Sequence, residues 1–260
     1  MKNVLLTGVT GAIGKAIAAG ILDSGNSLVF TARDRTKAER TIKDLSTYSG
    51  NVSYRIIDLS DGSEIYKFAE EWKGPLHVII NNAACTPRKQ EYAADGTEMM
   101  WAVNVLAYFR IISAFKKHLC RPPAGGSARI VNVASYYAGG LNLSDPEFKK
   151  RHYNNDSAYR ASKQADRMLS GWFGRKFDPS DCTVTACHPG DVNSRLSNNL
   201  GFGGHQSPAQ GAATPLYCAL SPEAEGITAS YFANRSRQYC EYIEDTVNTK
   251  KLIDTIMSYE

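Results

Sequence analysis

Short runs rich in valine, isoleucine and leucine recur along this 260-residue chain, and nearly every one is followed by a longer stretch whose apolar residues repeat at helical spacing. NVLLTG (3–8), SLVFTA (27–32), NVSYRIIDLS (51–60), LHVIINNAA (76–84), ARIVNVAS (128–135) and CTVTACHPG (182–190) read as strands, and ITASYF (227–232) as a seventh. Residues 12–25, 35–48, 61–72, 94–119 and 156–177 read as the intervening helices, and 246–258 as a last one. A continuous apolar run is the mark of a strand covered on both faces, and a helix between successive strands forces them to pair in parallel. Because such crossovers are right-handed, the expectation is one α/β domain over 1–260, a doubly wound parallel sheet of about seven strands with helices on both faces. No repeat, low-complexity tract or linker divides it.

Composition agrees with a globular chain and excludes several function classes. Of the residues, 43% are hydrophobic and 22% charged, and the net charge of +4 is scattered, without the basic block that would point to nucleic acid or a membrane surface. No apolar stretch approaches the roughly 20 residues that span a bilayer, and MKNVLLTG is too short to be a secretory signal. The six cysteines, Cys85, Cys120, Cys182, Cys187, Cys218 and Cys240, form no CxxC pair and have no histidine cluster beside them. Free thiols in a reducing compartment, a cytoplasmic location and no metal site are therefore expected.

In Rossmann-type sheets of this kind, ligands bind beyond the carboxyl ends of the strands. The irregular segments 138–155 and 191–210 follow the fifth and sixth strands at that edge and are the expected walls of a pocket. Between the first strand and first helix, Gly8, Gly11 and Gly14 allow a sharp turn and a close approach of backbone to phosphate at a helix N-terminus, which points to a dinucleotide. The second strand ends in ARDR. Arg33 would pair with a ribose 2′-phosphate, which favours NADP(H), while Asp34 at the next position would suit a free ribose hydroxyl and leaves NAD(H) open.

SAYRASKQAD (157–166) places Tyr159 and Lys163 four residues apart, on one face of a helix. Taken with TGVTGAIG (7–14), Asp58 in IDLS, NNAA (81–84), Asn104 in WAVNVLAYF, Ser135 in IVNVAS and HPGDVNSRL (188–196), in this order and spacing, the chain resembles the short-chain dehydrogenase/reductase family over nearly its whole length. ARDRTKAE, WAVNVLAYFRI and the long Ser135-to-Tyr159 separation are similar to the retinol-dehydrogenase-like branch. One departure is visible: the family's turn carries glycine where this chain has Ala12, with Gly11 beside it, so the division of phosphate contacts between the two stays open.

The resemblance implies an NADP(H)-dependent oxidoreductase that moves hydride between nicotinamide and an apolar carbonyl or alcohol. Tyr159 is then the general acid–base, Lys163 lowers its pKa and holds the nicotinamide ribose, Ser135 orients the substrate oxygen, and Asn104 holds a water that links Lys163 to solvent. Gly8, Thr10, Gly11, Ala12, Ile13 and Gly14 would cradle the pyrophosphate, and Asp58 and Leu59 would meet the adenine. Asn81 and Ala83 would line the adenosine side, although Asn81 could instead pin neighbouring strands. Pro189, Gly190, Val192 and Ser194 would receive the nicotinamide end, with the backbone around Val192 bonding the carboxamide; His188 reads as structural. Tyr136, Tyr137, Phe202 and His205 fall on the two irregular segments and are candidate substrate walls. The alternative is a non-catalytic nucleotide sensor on the same fold, since fold alone does not fix function. The resemblance also allows a homodimer or homotetramer built on the helices at 94–119 and 156–177.

Overall fold

A computed structural model describes residues 1–260. The elements run β1 (Asn3–Thr7), α1 (Ala12–Asp23), β2 (Ser27–Ala32), α2 (Arg35–Leu45), β3 (Val52–Ile56), α3 (Gly62–Glu71) and β4 (Val78–Asn81). A single π-helical segment, Trp101–Leu106, leads into α4 (Ala107–Phe115), then β5 (Ala128–Val133), α5 (Asn155–Gly174) and β6 (Cys182–His188). The chain closes with α6 (Arg195–Leu200), α7 (Pro208–Leu220), β7 (Ser230–Ala233), β8 (Ser236–Gln238), α8 (Glu241–Glu244) and α9 (Thr246–Met257).

The sheet order is β3-β2-β1-β4-β5-β6-β7-β8, parallel throughout except for the antiparallel β7–β8 pair. The chain therefore winds outward one way from β1 and the other way from β4, and the crevice between those two strands is the topological switch point. One face of the sheet is covered by α3, α4, α5 and α9, through Phe68, Tyr108, Phe115, Met168, Leu169 and Leu252. The other is covered by α1, α2 and α7, through Ile17, Ile21, Leu45, Ala212 and Cys218. The α/β class, the parallel sheet and the two helical layers are those expected from the alternation of apolar runs.

The sheet has eight strands where about seven were expected. The added β8 closes a hairpin on β7 through Asn234 and Arg235, both with positive φ (50° and 60°), the conformation of a tight two-residue hairpin turn. The third strand ends at Ile56 rather than 60, because Asp58 turns the chain by accepting hydrogen bonds from the Ser60 N–H and hydroxyl. The helix expected over 94–119 does not begin at 94. Tyr92 and Glu98 form an isolated bridge across a turn at Asp95 and Gly96 (φ +84°), and the helix begins only at Met99, running through the π segment into α4. The segment 191–210 is not wholly irregular: it holds α6, capped by a reciprocal Ser194–Ser197 box. A second such box, Ser207 with Gln210, starts α7.

Candidate active site

The β1–α1 turn is built by three glycines with different duties. Gly8 takes φ +74°, and a side chain there would press on the Ala83 backbone at 2.8 Å. Gly14 faces the Gly8 carbonyl so closely that a Cβ would overlap it. Gly11 has ordinary φ (−89°) and caps α1 with no side-chain bond, so nothing closes the mouth of the turn. Ala12 is the first residue of the helix proper. The free N–H groups of the first turn, with the positive end of the helix dipole, form a cradle that a Cβ at Gly11 would fill. Thr10 and Gly11 are exposed, and Ala12 and Ile13 half-buried. Thr7 fixes the strand beside it, accepting at Oγ1 from the N–H groups of Asn82 and Ala83 at 2.9 Å each.

Beyond β2, Arg33 is exposed and its guanidinium makes no protein hydrogen bond, whereas the Asp34 carboxylate accepts from the Lys37 N–H and caps α2. Asp58 Oδ1 is taken by Ser60, and the Asp58 N–H donates to Glu64, which leaves Oδ2 open; Leu59 packs half-buried against the core. Asn81 is wholly buried and donates to Asn132 Oδ1 across β4 and β5 at 2.9 Å, so its side chain pins strands; its neighbour Asn82 is the asparagine that faces the cleft. Ala83 is buried behind Thr7.

At the carboxyl ends of β5 and β6 lies a cleft open to solvent. Ile13, Ser135, Tyr159, Lys163, Pro189, Gly190, Val192 and Ser194 line it together, drawn from four separate stretches of chain. Gly190 takes φ +112°, and any side chain there would overlap the Gln206 amide. Val192 is buried; its carbonyl accepts from Ser197 Oγ, while its N–H has no protein partner and is free for a ligand acceptor. Tyr137 and Phe202 stack at 5.0 Å and wall the outer cleft with Leu196. Tyr136 and His205 lie outside it: Tyr136 is exposed, and His205 pairs with Asp191 at 3.1 Å. Sequence reasoning missed a further apolar group around Tyr159, formed by Met100, Phe148, Ala158, Cys85 and Leu200.

Three features set the chemistry of the inner cleft. The side chains of Tyr159 and Lys163 are buried on α5. Burial pushes the Tyr159 phenol up, and the Lys163 ammonium and Ser135 hydroxyl pull it back only in part. Lys163 thus lowers the phenol's pKa as its charge requires, but in the protein by itself desolvation is the larger effect. Lys163 Nζ is held by the Val133 carbonyl at 3.0 Å and Asp166 Oδ2 at 2.8 Å, and its pKa is raised: burial opposes its charge, but the Asp166 carboxylate outweighs that. His188, which also lines the cleft, is pushed down to about 4 by burial and by Arg167, and its Nδ1 accepts from the Tyr136 N–H, so it is neutral at ordinary pH.

Asn104 sits in the π segment, a helical irregularity that often accompanies functional sites. Its Oδ1 accepts from the Cys85 N–H, and its Nδ2 donates to the Cys85 carbonyl and Ser162 Oγ. The carboxamide thereby braces the β4 loop against α5. Arg167, which no motif pointed to, donates to the Ser135 carbonyl at 2.5 Å and the Tyr231 hydroxyl at 2.7 Å, and so fixes the end of β5. The only sequence signal was an arginine on the stripe of α5 that would otherwise be apolar.

Comparison with known proteins fits this geometry. The family model described as short chain dehydrogenase matches residues 2–202. Retinol dehydrogenase 11 from Homo sapiens is 32% identical over 249 residues, covering 90% of this chain and 77% of that protein. Retinol dehydrogenase 13 from Homo sapiens is 28% identical over 253 residues, covering 89% and 76%. Among solved structures, an uncharacterized protein from Mycobacterium Paratuberculosis superposes with a TM-score of 0.81 at 24% identity, covering 99% of this chain and 92% of that one. The Pseudomonas aeruginosa RhlG/NADP active-site complex gives 0.71 at 23% identity, covering 90% and 94%. At these identities the two structures speak for the fold.

Proposed function

The chain belongs to the short-chain dehydrogenase family, and from that premise we propose that it is an NADP(H)-dependent oxidoreductase acting on an apolar carbonyl compound or the corresponding alcohol. The observation that carries the reading is the convergence of Ser135, Tyr159 and Lys163 on one cleft, with the unpartnered Val192 N–H opposite and the glycine turn behind. A pure binding module has no need of a buried phenol, an ammonium and a hydroxyl in one place.

When bound, the dinucleotide would supply or accept the hydride. In reduction, the substrate carbon gains that hydride and its oxygen takes the proton of the Tyr159 hydroxyl; in oxidation both move in reverse. Ser135 donates to the substrate oxygen and steadies its developing negative charge. Lys163 keeps a full positive charge beneath the phenol, and Asn104 holds the loop and helix at a fixed spacing. The Val192 N–H and the helix N-terminus of α1 would hold the two ends of the cofactor, which fits the open cradle at Gly11.

NADP(H) is favoured because Arg33 is exposed and unpaired, while the acid that could read a ribose hydroxyl, Asp34, is committed to its cap. An apolar substrate is favoured by Tyr137, Phe202 and Leu196 outside and Met100 and Phe148 around the phenol. Relatives named retinol dehydrogenase agree with that class. The test is NADPH oxidation over a panel of aliphatic and aromatic aldehydes and ketones, with Tyr159→Phe as control. Loss of the acid should lower turnover about 100-fold or more with NADPH binding retained. A Phe variant as active as the wild type would refute the mechanism.

A further inference from the structure

Asp166 closes the SAYRASKQAD stretch, and no motif of the family reading uses it. Tyr159, Lys163 and Asp166 stand at i, i+4 and i+7, along one stripe of α5. Asp166 Oδ2 lies 2.8 Å from Lys163 Nζ, and the two side chains are 0% and 2% exposed. The second carboxylate oxygen, Oδ1, has no partner at all. The surroundings offer nothing else of opposite charge. Tyr108 faces Lys163 from α4, Cys187 from β6, Cys85 from the β4 loop and Tyr159 from α5 itself. Burial raises every one of these groups and keeps it neutral, with Cys85 pushed up to about 12. Asp156, at the start of α5, is felt by Tyr159 only as its last and smallest influence. A buried ammonium is sustained only by a close counter-charge or by dense hydrogen bonding. Here one carbonyl and one carboxylate fill that role; burial pushes the Asp166 carboxyl up and the Lys163 ammonium pulls it back only in part, so the pair's charge is most complete at and above neutral pH.

Resting on the functional reading above, we propose that Asp166 is a positioning residue: it anchors Lys163 in a buried ion pair and restrains the ammonium's pull on the Tyr159 phenol, so that this hydroxyl serves as a proton donor and the site favours carbonyl reduction near neutral pH. The physical reason is geometric. An isolated ammonium beneath the phenol acts on it as a single positive charge. The Lys163–Asp166 pair acts as a dipole whose negative end opposes phenolate formation. Aqueous access cannot screen the pair, because neither side chain reaches solvent.

The substitution Asp166→Asn keeps the shape and the acceptor toward Lys163 and removes only the charge. Two measurements follow on the full chain. In the first, the pH profile of alcohol oxidation with NADP is compared between wild type and variant. Its acid limb should move about one pH unit lower, a roughly tenfold higher oxidation rate at a fixed pH on that limb. In the second, tyrosinate absorbance is titrated with and without Tyr159→Phe, in both the wild-type and the Asp166→Asn backgrounds, so that the step owed to Tyr159 is isolated without any turnover. That step should fall by the same amount. A limb and a step that stay in place, or move to higher pH, would overturn the proposal. Should Asp166→Asn fail to fold, Asp166→Ser, which admits a water beside Lys163, carries the same expectation. The two readings fail separately. A wild type without turnover on any substrate, or a fully active Tyr159→Phe, defeats the enzyme assignment, whereas the tyrosinate titration still judges Asp166.

Discussion

Replacing Gly14 with alanine puts a methyl where the turn leaves no room for one. The third residue of α1 faces the backbone of Gly8, and a Cβ would overlap the Gly8 carbonyl oxygen while standing 2.7 Å from its carbon and 2.8 Å from Asn82 Nδ2. Those atoms are not free to give way: Gly8 is fixed at φ +74°, and Asn82 Nδ2 bonds the Thr7 carbonyl at 2.9 Å. Overpacking against rigid backbone costs about 3 kcal/mol at the upper end of its usual range. Alanine returns about 1 kcal/mol through its better helix propensity. The net is about 2 kcal/mol of destabilisation, a fall of roughly 4–8 °C in Tm for a chain of this size. Gly11→Ala is the informative partner. Its backbone is extended, and its nearest Cβ contact would be the Gly8 oxygen at 3.4 Å, so stability should change by less than about 1 kcal/mol. NADPH affinity, read by fluorescence titration, should still drop severalfold in Gly11→Ala, because the methyl fills the cradle. A Gly14→Ala protein that melts at or above the wild-type temperature would refute the steric reasoning. So would a Gly11→Ala protein that melts as low as Gly14→Ala yet binds NADPH normally.

The cofactor and the pH response can be probed in the same way. Arg33→Glu should weaken NADPH at least tenfold and leave NADH nearly unchanged, since it removes a charge-assisted contact and adds repulsion; equal effects on both dinucleotides would count against Arg33 as the phosphate reader. His188 is held at about 4, below its ordinary value of 6.5, so the unfolded chain takes up a proton first as pH falls. Its contribution is therefore complete above pH 6.5 and is lost on the way down to pH 4, on the order of 2 kcal/mol after allowance for partial exposure. In His188→Asn, whose side-chain oxygen can still accept from the Tyr136 N–H, urea midpoints at acid and neutral pH should lie closer together than in the wild type.

Much of this was readable along the chain because it depends on near neighbours. Continuous apolar runs such as VIIN and RIVNV are buried on both faces wherever they go, so they dictate strands, and the helices between them dictate parallel pairing. Gly8 and Gly14 announce a turn that no other residue can make. The Ser207-Pro-Ala-Gln210 box that starts α7 was equally legible in principle, as was the Asn234 turn into β8, since both are local turn chemistry.

Spacing along a helix likewise tells that Tyr159, Lys163 and Asp166 share a face, but not what that face meets. Folding decided that Lys163 is buried with Asp166, that Asn81 looks into the sheet while Asn82 looks into the cleft, and that Asn104 bonds Cys85 and Ser162. Those outcomes turn on which distant groups remain to satisfy a charge or an amide once water is gone. The sequence alone set the backbone's path; desolvation, which exists only in the assembled core, set the charge of the phenol at its centre.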